Sequence, residues 1–254
     1  MIPVLIMHAN GVTGSGCFVQ LSNSVYLLTA RHVIFTSLDK TNSASLVSPF
    51  AIIKSASAAG TTNVSERETM LKLDQLCDAG EVRASTNHDV ALVRIEDCQT
   101  NDPNIVKSLL PGVTVFPPQA GIQVHDLSGR LSTVEIGADV FMFGYPTSLT
   151  SEIKDLFPPT EPLLRKGVVA GVSNKGFIKI DCPSYFGNSG GPVLEVDRPD
   201  PFTTKFKIIG LVSGFVPFQE EWENKTMHYS HVLKSNSGYT IIEPIDYALD
   251  LVWK

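Results

Sequence analysis

Gly187-Asn188-Ser189-Gly190-Gly191-Pro192 is the stretch that decides how this chain is read. Glycines on both sides of Ser189 let the main chain turn tightly and come close to a bound carbonyl. In such a turn the N–H groups of Gly187 and Ser189 can converge on one point, as an oxyanion hole requires. The same composition also suits an ordinary Gly-rich turn, so the block needs companions. A serine hydroxyl is a weak nucleophile at neutral pH. It requires a base within hydrogen-bond reach and a third group that fixes the tautomer of the base.

Two upstream blocks supply those companions. Leu28-Thr29-Ala30-Arg31-His32-Val33 places a histidine at the end of an apolar run, and Asn87-His88-Asp89-Val90-Ala91-Leu92-Val93-Arg94-Ile95 places an aspartate at the start of another. Each alone has a plainer reading, a packing histidine and a turn aspartate. Together with Ser189 they give a base (His32), an orienting carboxylate (Asp89) and a nucleophile. His88 is a rival base, but neighbouring side chains in an extended segment point to opposite sides, which turns it away from the Asp89 carboxylate.

Around these blocks the chain reads as all-β. Short strand-like runs separated by Gly, Pro, Asn and Ser are expected at Gly16–Leu21, Ser24–Thr29, Ala51–Lys54, Met70–Leu76, Glu81–Ala84 and Asp89–Ile95. A second set follows at Gln123–Leu127, Asp139–Phe143, Gly167–Val172, Gly176–Asp181, Pro192–Val196, Phe206–Ser213 and Thr240–Ile242. Leu71-Lys72-Leu73-Asp74-Gln75-Leu76 alternates as a half-buried strand should. Met1–Met7 reads as a first strand or packed terminus. Pro244, with Ile245, Leu249 and Val252 behind it at helical spacing, predicts a closing helix over Pro244–Val252. Thr147–Lys166 and Pro217–Ser237 read as long inserted loops, and the Pro-rich stretch Leu110–Gly121 as the boundary between two halves.

Composition narrows the partners. The formal net charge is −6 and no Lys/Arg run occurs, which argues against nucleic acid. No run approaches the roughly 18 apolar residues of a membrane span. Cys17, Cys77, Cys98 and Cys182 show no metal-site spacing and read as ordinary thiols of a reducing, cytoplasmic compartment. His8, His88, His125, His228 and His231 form no convincing ligand set, so neither metal nor organic cofactor is expected.

The three blocks, in the order His, Asp, Ser, resemble those of the chymotrypsin-like (trypsin-like) serine peptidases. Gly14-Ser15-Gly16-Cys17-Phe18-Val19, Phe143-Gly144-Tyr145-Pro146, Ile209-Gly210-Leu211-Val212-Ser213-Gly214 and Gly238-Tyr239-Thr240 extend the likeness over nearly the whole chain. Within that family the chain most resembles the bacterial high-temperature-requirement type, with Asp181 eight residues before Ser189 and Asn188 immediately before it. The resemblance implies two antiparallel six-stranded β-barrels, residues 1–115 carrying His32 and Asp89 and residues 116–254 carrying Ser189 and a short terminal helix. It implies a serine endopeptidase acting on protein or peptide substrates through an acyl-enzyme.

It also places the substrate around Pro183, Ser184, Ser213, Gly214, Phe215 and Gly238. Pro183 and Ser184 are not acidic, and Phe215 stands at the rim, so small or medium apolar side chains are expected beside the scissile bond. Glu220, Glu221 and Glu223 would change that if their segment folded over the pocket. Asn188 cannot pair with a newly released N-terminal ammonium as an Asp would, so activation without N-terminal trimming is expected, with loop order setting the oxyanion hole. Two other functions fit the same sequence: a catalytically silent binding module, and a dedicated effector protease switched on by a partner protein.

Overall fold

A computed structural model describes residues 3–21, 24–36, 45–55, 67–97, 107–108, 129–149, 158–200, 202–224, 226–227 and 229–253. Its first sheet is centred on β1 (Pro3–His8), β2 (Thr13–Leu21) and β3 (Ser24–Thr29). β2 and β3 are buried on both faces, which is why their sequence runs almost continuously apolar. Phe18, Val25 and Leu27 face the core of this sheet. Cys17, Val19, Tyr26 and Leu28, on the alternate face, pack against Ile208, Leu211 and the closing helix of the second half. One hairpin therefore supplies a core and an inter-barrel contact together.

α1 (Arg31–Ile34), β4 (Phe50–Ser55), β5 (Arg67–Lys72), α2 (Leu73–Asp78), β6 (Val82–Ala84), β7 (Ala91–Asp97) and β8 (Lys107–Ser108) complete this half. The sheet runs β5-β4-β1-β2-β3-β7-β6, with β8 beside β7. Among the described residues β5 and β6 do not pair, so the expected closed six-stranded barrel is a half-barrel. The expected strand Met70–Leu76 explains the opening. β5 stops at Lys72, and the rest coils into α2. Leu73 and Leu76, three apart, share a helical face but would fall on opposite faces of a strand, and both are buried in the core. α2 bridges the gap, with Asp74 N–H donating to the Pro49 carbonyl and Glu81 N–H to the Leu76 carbonyl.

The second half is β9 (Asp139–Gly144), β10 (Leu163–Val172), β11 (Ile178–Asp181), β12 (Pro192–Asp200), β13 (Thr203–Asn224) and β14 (Tyr229–Pro244). These close as a barrel in the order β10-β11-β14-β13-β12-β9 around Val140, Met142, Val169, Ile180 and Ile209. α3 (Asp246–Trp253) follows, close to the expected helix, and buries Ala248 and Leu249 with Ile245 against the inter-barrel face.

Pro217–Ser237 is not a loop. It pairs from Pro217↔Asn236 to Asn224↔Tyr229 as a two-stranded ribbon continuing β13 and β14 beyond the barrel. Of Thr147–Lys166, Thr147–Leu149 is a 3-10 turn and Leu163–Lys166 opens β10, while 150–157 lie outside the described residues. The expected strand Gln123–Leu127 and the boundary Leu110–Gly121 also lie outside them. No helix among the described residues is long and apolar enough to cross a membrane.

Candidate active site

β3 delivers the chain to Ala30, and the single turn α1 lifts His32 clear of the sheet. The chain ahead of β7 brings Asp89 beside it. The Asp89 carboxylate is bonded twice by His32: Oδ2 lies 2.7 Å from ring Nδ1, and Oδ1 accepts the His32 backbone N–H at 2.9 Å. The Ser213 hydroxyl donates to the same Oδ2 at 2.6 Å. Burial pushes the Asp89 carboxyl up, but the His32 ring, the Ser213 hydroxyl and the His32 N–H outweigh it and hold the group below its ordinary range. Asp89 is therefore ionised, and its charge fixes the proton on Nδ1, leaving Nε2 for chemistry.

Ser213 reaches Asp89 because β13 bulges there. Val212 pairs with Ile242 and Gly214 with Ile241, so Ser213 is the extra residue and its side chain is re-aimed. Sequence reasoning placed Ser213 only on the substrate; the structure adds the contact with Asp89. His88 turns the other way. It stacks on Tyr247 with centroids 3.3 Å apart and sets Nδ1 3.5 Å from Glu243 Oε2.

Ser189 lies across the cleft from His32, and both line one cavity of about 610 Å³. Ser184, Ser213, Gly214 and Phe215, expected at the substrate, line it. Pro183 and Gly238 do not. Gly238 stands behind the cavity at φ +88° and accepts the Cys182 N–H, and Pro183 follows Cys182 there. Tyr185, Phe186 and Thr147 line the cavity without having been expected. Phe186 and Phe215 meet edge to face, 5.8 Å apart, and form an aromatic wall.

The turn around Ser189 is held from outside. Ser15, fully buried in β2, donates its N–H to the Ser189 carbonyl at 2.7 Å and its hydroxyl to the Gly187 carbonyl at 2.6 Å. The same hydroxyl accepts the Tyr145 N–H at 2.9 Å. Thr29 donates to the Ser15 carbonyl at 2.7 Å. Gly190, at φ +83°, could carry no side chain, since a Cβ would strike the Ser15 carbonyl and the Thr29 hydroxyl.

Other contacts hold the two peptides that carry the Gly187 and Ser189 N–H groups. The Phe186 carbonyl faces Thr147 Oγ1 and Ser148 Oγ at 3.4 and 3.5 Å, and the Asn188 carbonyl accepts the Gly191 N–H at 2.9 Å. A planar trans peptide points its N–H opposite to its C=O. The Gly187 and Ser189 N–H groups accordingly face away from those anchors, and both residues line the cavity. Asn188 itself is buried against Gly144.

Glu221 and Glu223 sit exposed on the ribbon and Glu220 half-buried there, and none of the three lines the cavity. Cys17, Cys77 and Cys182 are free thiols, with burial pushing Cys17 up to about 12, and Cys98 lies outside the described residues. Among the described residues no cluster of His, Cys, Asp or Glu is arranged to hold a metal ion, and His125 and His228 lie outside them.

Comparison with known proteins gives the same architecture. A serine endoprotease from Yersinia pestis is similar at 18% identity and a TM-score of 0.50, covering 99% of this chain and 61% of that one. The protease Anisep from Arthrobacter nicotinovorans is similar at 13% identity and a TM-score of 0.53, covering 96% of this chain and 88% of that one. An HtrA-type protease solved with a tripeptide is similar at 16% identity and a TM-score of 0.47, covering 99% of this chain and 58% of that one. The chain thus spans about three fifths of the Yersinia and HtrA-type proteins. No curated protein sequence matches it significantly. The model of the trypsin-like peptidase domain matches residues 14–198, a span that includes His32, Asp89 and Ser189, and the chain belongs to that family.

Proposed function

We propose that this chain is a serine endopeptidase that hydrolyses peptide bonds through an acyl-enzyme on Ser189. The observation that carries the reading is the Asp89–His32 contact of 2.7 Å at the edge of the cavity that Ser189 lines. His32 Nε2 takes the Ser189 hydroxyl proton as Oγ attacks the scissile carbonyl. The Gly187 and Ser189 N–H groups stabilise the oxyanion. The protonated ring then gives its proton to the leaving amine, and a water activated by Nε2 releases the acyl group. Asp89 stays ionised throughout and stabilises the imidazolium.

The test is labelling with a fluorophosphonate probe together with cleavage of a peptide library, each against Ser189→Ala. Labelling and cleavage that both vanish in the variant support the reading. Binding of peptides without labelling or turnover would make the chain a silent binding module. Labelling with turnover only after a companion protein is added would make it a switched effector protease.

A further inference from the structure

Behind the aromatic wall the cleft opens into a second chamber of about 550 Å³, walled by Tyr185, Phe186, Phe215 and Pro217 and bordered by Lys234 and Asn236. Tyr185, Phe186, Phe215 and Ser184 belong to both cavities, so the chamber adjoins the one that Ser189 lines. Its polar groups are mostly spoken for. The Asn236 amide donates to the Ser184 carbonyl at 2.6 Å and accepts the Gly238 N–H at 2.9 Å. The Ser184 hydroxyl accepts one from Thr240 at 2.9 Å.

Lys234 is different. It stands on β14 opposite the neutral Gln219, and among the described residues it has no carboxylate partner. No acidic residue lines the chamber. Arg165, outside the lining, sets its guanidinium 4.7 Å over the Tyr185 ring. In a chain of net charge −6, the chamber is thus lined by one ammonium-bearing residue, no carboxylate and several apolar side chains, the nearest acid on the same ribbon face being Glu221, which does not line it.

We infer that Lys234 selects a substrate with an acidic side chain, glutamate rather than aspartate, next to the scissile bond. The aromatic walls suit the methylenes of a glutamate, and its carboxylate meets the ammonium in a charge-assisted contact. The longer side chain is favoured because Lys234 lines only the second chamber, with Phe186 and Phe215 shared between it and the cavity of Ser189. This departs from the expectation of small or medium apolar side chains, which took into account the residues near the pocket base but not the strand that carries Lys234. It rests on the peptidase reading above and adds its substrate class.

The experiment is positional profiling with peptides that differ only at the residue on the acyl side of the scissile bond: Glu, Asp, Gln, Leu, Phe or Lys. The intact chain is run against Lys234→Gln and Lys234→Glu, with fluorophosphonate labelling of Ser189 reporting a competent fold in each. The expected result is a kcat/KM for Glu about tenfold or more above that for Gln, a scale set by hydrogen bonds to charged groups. That preference should shrink in Lys234→Gln, shift toward Lys in Lys234→Glu, and weaken as salt is raised. Labelling with cleavage best after Leu, Phe or Lys, or a Glu preference that survives in Lys234→Gln, would overturn the inference while leaving the peptidase reading intact. Absence of both labelling and cleavage would overturn that reading and this inference with it.

Discussion

The Ser15 hydroxyl of the first sheet donates to the Gly187 carbonyl of the second barrel at 2.6 Å, while its own oxygen accepts the Tyr145 N–H at 2.9 Å. One buried side chain thus joins the two halves of the molecule at the Gly187–Asn188 peptide, between the two peptides whose N–H groups are proposed as oxyanion donors. Ser15→Ala leaves a buried N–H and a buried carbonyl without their partner, at a cost of about 1–3 kcal/mol. It also loosens the turn at Gly187. The expected outcome is a kcat lowered by roughly tenfold to a hundredfold, less than deletion of a donor itself at about 10²–10³, with KM little changed. Steady-state kinetics on wild type and Ser15→Ala check it, and an unaltered kcat would show that Gly187 holds its orientation without Ser15.

Asp89 should matter more than Ser213, although both touch. Asp89→Asn removes the charge that fixes the His32 tautomer, and the expected loss in kcat is about 10⁴. Ser213→Ala removes one donor from a carboxylate that keeps two contacts with His32. The expected loss is about tenfold, consistent with a single hydrogen bond to a charged group. Equal losses in the two variants would mean that Ser213 acts on the substrate rather than through Asp89.

Gly190→Ala tests the turn itself. The residue sits at φ +83°, and an added Cβ would strike the Ser15 carbonyl. The backbone conformation alone costs roughly 1–3 kcal/mol for a non-glycine residue. The expected outcome is a chain with a lowered thermal midpoint and no detectable probe labelling at Ser189. Normal labelling would show that the turn can shift without losing the site.

His8 gives the fold a pH dependence at its mildly acidic limit. It is 5% exposed. Burial pushes its pKa below the ordinary 6.5, with a Val33 backbone contact opposing. The folded chain therefore binds fewer protons here than the unfolded chain just below pH 6.5, so stability falls as pH drops through that window, by at most about 1.4 kcal/mol per pH unit. Asp89 acts lower down. Its depressed folded pKa gives stability that is present above about 3.9, the ordinary aspartate value, and lost as pH falls further. Urea midpoints measured from pH 8 to pH 5 on wild type and His8→Leu separate the two. The slope between about 6.5 and 5 should flatten in the variant, and identical slopes would remove His8 as the cause.

The residues proposed to carry the chemistry stand out in the sequence because each is tied to local backbone demands. A glycine pair around Ser189, a histidine one step past an apolar strand and an aspartate one step before another are patterns that neighbours in sequence enforce. Strand positions were legible for the same reason, and Ser24–Thr29 is an example, since burial on both faces leaves a nearly continuous apolar run. The closing helix announced itself through Pro244 and the spacing of Ile245 and Leu249.

What tertiary structure decided lies where two distant segments compete for one surface. Leu71 and Leu73 fit an alternating strand, whereas Leu73 and Leu76 share a face only in a helix, and burying both in one core favoured α2. The charges of Glu220, Glu221 and Glu223 suited a solvated loop, but cross-strand pairing with residues 230–233 made a ribbon and carried Lys234 to the chamber wall. Ser15 and Ser213 look like ordinary strand residues. Their partners lie 172 and 124 residues away in sequence, and only barrel packing and a one-residue bulge bring those partners within a hydrogen bond. A sequence read locally carries backbone conformation and burial period. It does not carry the choice of partner for a buried hydroxyl, because that choice is made by the chain segments that exclude water from it.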